Sequence, residues 1–141
     1  MTANKSGPVK TFSPLGACSL VPSPVRYGLA GVIGVFGITV AALGILAFRR
    51  AKTTINPVNP GDASTVVTSG IYRFTRNPMY VGLAAALVTL VVWLSVPWLL
   101  LGPVAFILFI TRIQIIPEER AMSLKFGPEY DHYRSRVPRW L

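Results

Sequence analysis

Residues 27–48 read YGLAGVIGVFGITVAALGILAF, a stretch without a single charged side chain, and its reading decides the fold class. At about 1.5 Å of rise per residue, a helix of this length covers a hydrocarbon core of roughly 30 Å. The first membrane span is therefore expected over about 27–48. Within it Ala30, Gly34, Gly37, Ala41 and Gly44 recur at alternating steps of four and three, which lines them along one seam where a second helix can approach closely. Gly28, Gly31 and Gly34 are spaced somewhat like a nucleotide-binding fingerprint, but no strand precedes them and they lie inside an apolar helix, so that meaning falls away.

Working outward, a second apolar run covers about 79–96 and a third about 98–116, with Pro97 between them. Trp93 and Trp98 flank this tight hairpin tip as interfacial anchors. With 52% hydrophobic and only 13% charged residues, the composition agrees with a chain that lives in lipid. The fold class expected is an all-α integral membrane protein: three transmembrane helices plus a C-terminal amphipathic interfacial helical segment. Residues 1–25, broken by Pro8, Pro14, Pro22 and Pro24, are read as a flexible tail, and 26–141 as one domain with a functional loop at 56–78 and a C-terminal tail at 117–141.

Charge placement orients these spans. The loop after the first span carries Arg49, Arg50, Lys52, Arg73 and Arg76, and the tail beyond the third carries Arg120, Lys125, Arg134, Arg136 and Arg139, while the tip at 93–98 has no charge. The hairpin returns the chain to the side it left, so loop and tail share one side, and the positive-inside rule makes that side cytoplasmic. A bacterial-type plasma membrane is the expected location. The net charge of +9 forms no basic stripe with interleaved aromatics, so it fits anionic lipid and topology, and nucleic acid is not an expected partner. The seam of small residues makes a homo-oligomer credible. Cys18 is alone and His132 is the one histidine, so neither a disulfide nor a metal site is expected.

The polar segments carry the chemistry. Asn56-Pro57-Val58-Asn59-Pro60-Gly61-Asp62 marks irregular backbone, and Ser64-Thr65-Val66-Val67-Thr68, rich in β-branched residues, is expected to be extended. Asn77 followed by Pro78 is a helix start, with Asn77 as N-cap and Pro78 at the first helical position. The unpaired N–H groups and positive dipole end there, with Arg73 and Arg76 alongside, can receive a carboxylate or another anion. Arg112 and Gln114 fall inside the third apolar run, where a charge costs about 3 kcal/mol toward the bilayer centre unless paired or watered. Pro117 then opens a polar helix with Glu118 and Glu119 in its first turn. If the helix passes Pro117 with only a kink, Glu118 stands one turn beyond Gln114 and Glu119 two turns beyond Arg112. Met122, Phe126, Tyr130, Tyr133 and Val137 follow as an amphipathic stripe broken at Gly127-Pro128, expected to lie on the membrane surface. No nucleophile is paired with a base, and no glycine loop cradles a phosphate, so hydrolase and nucleotidase chemistry find no support.

Thr68-Ser69-Gly70-Ile71-Tyr72, Arg76-Asn77-Pro78-Met79-Tyr80, Pro117-Glu118-Glu119 and Phe126-Gly127-Pro128-Glu129-Tyr130 with Tyr133, taken in this order and spacing, resemble the isoprenylcysteine carboxyl methyltransferase and phospholipid N-methyltransferase superfamily of integral membrane methyltransferases. The resemblance covers roughly residues 56–141. It implies S-adenosyl-L-methionine held at the cytosolic face without a soluble Rossmann domain, and a lipid or other lipophilic small-molecule substrate entering from the bilayer. Residue by residue it implies cofactor contacts from Ser64, Thr65, Val66, Val67, Tyr72, Asn77, Pro78, Met79, Tyr80 and Glu118. Arg112 and Gln114 stand as substrate contacts, and Arg112 and Glu119 as catalytic candidates, Glu119 being the base nearest the expected site for an amine acceptor. Many isoprenylcysteine enzymes have His where this chain has Asn77, and an Arg for the substrate carboxylate where it has Gln114. The acceptor therefore stays open between a carboxylate and an amine. Two other readings compete: a relative of membrane NADPH-dependent sterol and enone reductases, whose C-terminal acid, Tyr and basic pattern is similar, and a non-enzymatic membrane subunit.

Overall fold

The computed structural model of the protein describes residues 22–52 and 64–141, and every regular element among them is helical. Helix α1, Ser23–Arg50, begins upstream of Tyr27 because Pro24 sits in its first turn, where the missing N–H needs no partner and the fixed φ suits a helix. Arg49 and Arg50 close it, placing cations at the negative end of its dipole. Helix α2, Pro78–Leu94, has 17 residues and stops where Ser95 turns left-handed at φ 54°. From Pro97 the chain runs helically to Phe126: a 3₁₀ turn Pro97–Leu100, α3 over Leu101–Ile110, a π-turn Thr111–Ile115 and α4 over Ile116–Phe126. Gly127 then reverses direction at φ 54°, a conformation that favours glycine, and α5 spans Pro128–Arg136.

Two helical stretches, Ser23–Arg50 and Pro97–Phe126, are long and apolar enough to cross a membrane, and α2 is a shorter apolar helix. Val32, Val35 and Ile38 on α1, and Leu101, Leu108 and Phe109 on α3, remain exposed. Apolar surface on this scale belongs against lipid rather than water. The protein is a membrane protein whose regular elements are all helical among the described residues.

The small-residue seam has its partner within the chain. A Cβ added at Gly37 would lie 2.7 Å from Ala85 Cβ, one at Gly82 2.7 Å from Ala41 Cβ, and one at Gly44 2.9 Å from Pro78 Cγ. These pairings run α1 and α2 antiparallel at close range, with Ala30, Gly37 and Gly44 buried. The seam is thereby covered by α2 and is no longer an argument for self-association. At the far end, Arg26 donates to Ser95 Oγ at 2.8 Å and Tyr27 meets Trp93 with ring centroids 5.1 Å apart. The start of α1 is thus fastened to the hairpin tip. At the near end Phe48 meets Tyr72 edge-on at 5.3 Å, where the 3₁₀ turn Gly70–Arg73 lies against α1.

Pro117 is passed without a break, and the π-turn just before it shows how. Proline removes its own N–H and its ring crowds the carbonyl four residues back. Here the Ile116 N–H reaches the Thr111 carbonyl, five residues behind, so the ladder is widened rather than cut. The stripe expected on the membrane surface is partly turned inward: Tyr130 and Val137 are buried within the chain itself. The segment Asn56 to Asp62 and the tail through Cys18 lie outside the described residues.

Candidate active site

The site grows from the junction between the loop and α2. Asn77 occupies the N-cap position of α2, with Pro78 in the first turn, yet its side chain makes no capping bond. Instead Asn77 Nδ2 donates to the Arg139 carbonyl at 2.9 Å. The fully buried Thr75 donates its hydroxyl to that same carbonyl at 3.3 Å and accepts from the Asn77 N–H at 3.2 Å. The Arg76 N–H donates to the Pro138 carbonyl at 3.1 Å. The C-terminal segment therefore takes the polar groups that a capping residue would otherwise use, and the first turn of α2 remains uncapped by any side chain. Such a turn presents N–H groups and a positive dipole end.

Glu118 is joined to that turn through Tyr80. Gln114 Nε2 donates to Glu118 Oε1 at 2.6 Å, one turn away along the helix, and Tyr80 from the first turn of α2 donates to the same oxygen at 3.1 Å. Burial raises the Tyr72 phenol well above the ordinary tyrosine range, and the charges of Tyr133, Glu118 and Tyr80 push in the same direction. The Tyr72 phenol, from the loop, thus lies within electrostatic reach of Tyr80 on α2 and Glu118 on α4. The Tyr133 hydroxyl, its phenol pushed up chiefly by burial, donates to the Tyr72 carbonyl at 2.8 Å.

Glu119, one residue on, points elsewhere. It is 5% exposed and sits between two guanidiniums: Arg76 Nη1 donates to Oε1 at 2.7 Å, while Arg139 donates through Nε to Oε1 at 3.0 Å and through Nη2 to Oε2 at 2.7 Å. The fork of Arg139 is the bidentate geometry that gives strong charge-assisted bonds. Its guanidinium is raised above the usual arginine value by the hydrogen bond to Glu119. Tyr130 packs against this triad; burial raises its phenol, and the Glu119 charge adds to that.

The structure thus divides the expected residues. Tyr72, Tyr80, Gln114 and Glu118 come together, and Asn77, Pro78 and Met79 lie in the same junction. Pro78 is wedged against Gly44 and buried, so its ring packs on α1. Val66 and Val67 are buried, whereas Ser64 and Thr65 are exposed, and none of the four lies in a regular element. Arg112 is exposed and is not brought onto the Glu119 face. The π-turn holds more residues per turn than an α-helix, so a register counted at 3.6 residues per turn fails across 111–115. Glu119, read from the sequence as a base, has its oxygens turned toward arginines instead. Sequence reasoning read Arg76 as an anion contact at the α2 start and Tyr133 as part of the amphipathic stripe, and it did not assign Arg76 to Glu119 or single out Arg139 or Thr75. The available signal was the acid itself, since a buried carboxylate requires cations.

A family model described as phospholipid methyltransferase matches residues 25–129. The chain belongs to this family. An uncharacterized protein of Haemophilus influenzae is 43% identical over 65 residues, covering 45% of this chain and all of that protein. Two proteins of rice, from Oryza sativa subspecies indica and japonica, each named a probable protein-S-isoprenylcysteine O-methyltransferase, are 29% identical over 125 residues, covering 84% of this chain and 64% of theirs. The chain thus spans just under two thirds of the length of these plant relatives. No solved structure matches. For the phospholipid methyltransferase family, the match takes in α1 through the first residues of α5, including the Tyr80, Gln114 and Glu118 cluster.

Proposed function

We propose that this chain transfers a methyl group from S-adenosyl-L-methionine to a lipophilic, membrane-resident acceptor at the cytoplasmic face. The observation that carries the reading is the convergence of Tyr80 and Gln114 on Glu118 Oε1, with Tyr80 rising from the uncapped first turn of α2. That donor set suits a zwitterionic amino-acid moiety: the amides of the α2 turn receive its carboxylate, and Glu118 receives its ammonium or the ribose hydroxyls. When bound, the cofactor supplies an electrophilic methyl on a sulfonium. The protein's part is alignment of the acceptor and exclusion of water. Tyr72 and the buried Val66 and Val67 offer apolar walls, and Ser64, Thr65, Met79 and Asn77 polar or flexible contacts around the same loop. Arg112, exposed at the level of the π-turn, meets the acceptor's head group from the lipid side, next to Gln114.

A carboxylate acceptor needs no base. An amine acceptor loses a proton, which passes to solvent, because both oxygens of Glu119 are held by arginines. The exposed faces of α1 and α3 support three crossings, with α2 as the middle one, and the arginines of loop and tail support a cytoplasmic site. The test is incubation of the purified protein with methyl-labelled S-adenosylmethionine and a total lipid extract. Label in a lipid product is expected; a chain that neither binds the cofactor by calorimetry nor labels any lipid overturns the reading.

A further inference from the structure

The family match ends at residue 129, yet residues 138–140 contact the segments that carry the candidate site. The Pro138 and Arg139 carbonyls take the Arg76 N–H, the Thr75 hydroxyl and the Asn77 amide. The Arg139 side chain grips Glu119, next in sequence to Glu118. Trp140 Nε1 donates to Thr111 Oγ1 at 3.3 Å, at the head of the π-turn that carries Gln114. Three separate segments, loop 75–77, the π-turn and α4, are thus held by one short stretch, with Val137 buried as its root.

We infer that residues 137–141 are a positioning clasp that sets the α2 start and Glu118 at their working separation, with Arg139 as its principal positioning residue. The inference rests on the methyl-transfer reading for what the site binds. The chemistry follows from two facts. Glu118 and Glu119 leave the same helical turn at a fixed offset of about 100°, so whatever fixes Glu119 fixes the rotation of α4 and with it the direction of Glu118. The start of α2 is fixed by the same residue through its carbonyl, so Arg139 ties the ammonium side of the site to the carboxylate side. Arg139 touches neither cofactor nor acceptor and acts through these contacts alone.

The test compares the full-length wild type with Arg139→Met, Arg139→Lys and a chain ending at Val137, each reconstituted in vesicles. A positioning role raises KM for S-adenosylmethionine by about tenfold or more in Arg139→Met, the scale of a small misplacement at a preorganised site, while KM for the lipid acceptor holds. Arg139→Lys, which keeps the charge and loses the fork, falls between it and the wild type. A general folding defect would instead lower the active fraction, and so kcat, with KM unchanged. Hydrogen exchange of the Arg76 amide, bonded to Pro138, provides a reading independent of any ligand: it quickens in the truncated chain. Cofactor KM within twofold of wild type in both Arg139→Met and the truncation overturns the clasp. A wild type that binds no S-adenosylmethionine overturns the functional reading instead, and the clasp then stands or falls on the Arg76 exchange rate.

Discussion

At the scale of single residues, the two adjacent acids have opposite duties. Glu118 gathers donors from Gln114 and Tyr80, whereas Glu119 is consumed by Arg76 and Arg139. Glu118→Ala and Tyr80→Ala are therefore predicted to abolish S-adenosylmethionine binding while leaving membrane insertion intact; unchanged calorimetric affinity in both purified variants would sink the site assignment. Glu119→Ala should lower stability as well as loosen the cofactor site through the Arg139 contact, since removing one partner of a buried ion pair leaves uncompensated charge and costs about 3–5 kcal/mol, measurable as a lowered unfolding midpoint. The buried phenols add a pH dependence. Tyr72, Tyr130 and Tyr133 all have folded values raised above the ordinary one. Below about pH 10 both states hold these protons; above it the unfolded chain sheds them first and stability falls. Denaturation of the detergent-solubilised protein should thus be flat in pH through neutrality and ease above about pH 10; a flat profile through that range would mean that these hydroxyls are solvated.

At the scale of elements, the α1–α2 contact depends on the absence of side chains. Gly82→Ala drives a methyl to 2.7 Å from both Ala41 Cβ and the Gly37 carbonyl, an overpacking that costs about 1–3 kcal/mol. Gly28→Ala meets nothing within 4 Å and should be neutral or stabilising by up to about 1 kcal/mol, from the loss of glycine's unfolded-state freedom. Thermal unfolding of the two variants in one detergent checks the contrast, and equal midpoints would deny the close approach. The seam was legible because steps of four and three repeat only on a helix. Its partner was not, because small residues invite any helix, and only the folded chain shows that α2 takes the place. The π-turn was equally hidden: Pro117 announces a disturbance, but nothing in Thr111-Arg112-Ile113-Gln114-Ile115 says that it is resolved by widening the ladder upstream.

At the scale of the whole molecule, the apolar faces of α1 and α3 and the arginines of loop and tail predict three crossings with loop and tail together. In a Cys18→Ser background, Pro97→Cys at the hairpin tip should react with a membrane-impermeant maleimide in intact cells, and Leu124→Cys, 88% exposed on α4, only after permeabilisation. The reverse pattern would invert the topology. Composition and charge order by themselves determined that the chain is helical and membrane-embedded and which segments carry its polar chemistry, because hydropathy and helical period are local properties. The ordered motifs pointed to the family. Tertiary structure alone decided how those polar groups are shared out: that Tyr80, 38 residues from Glu118, reaches it, that Glu119 is an anchor for Arg76 and Arg139, and that Arg139 and Trp140 reach Thr75, Asn77 and Thr111. Such contacts join segments far apart in sequence, and no local pattern encodes the distance between them.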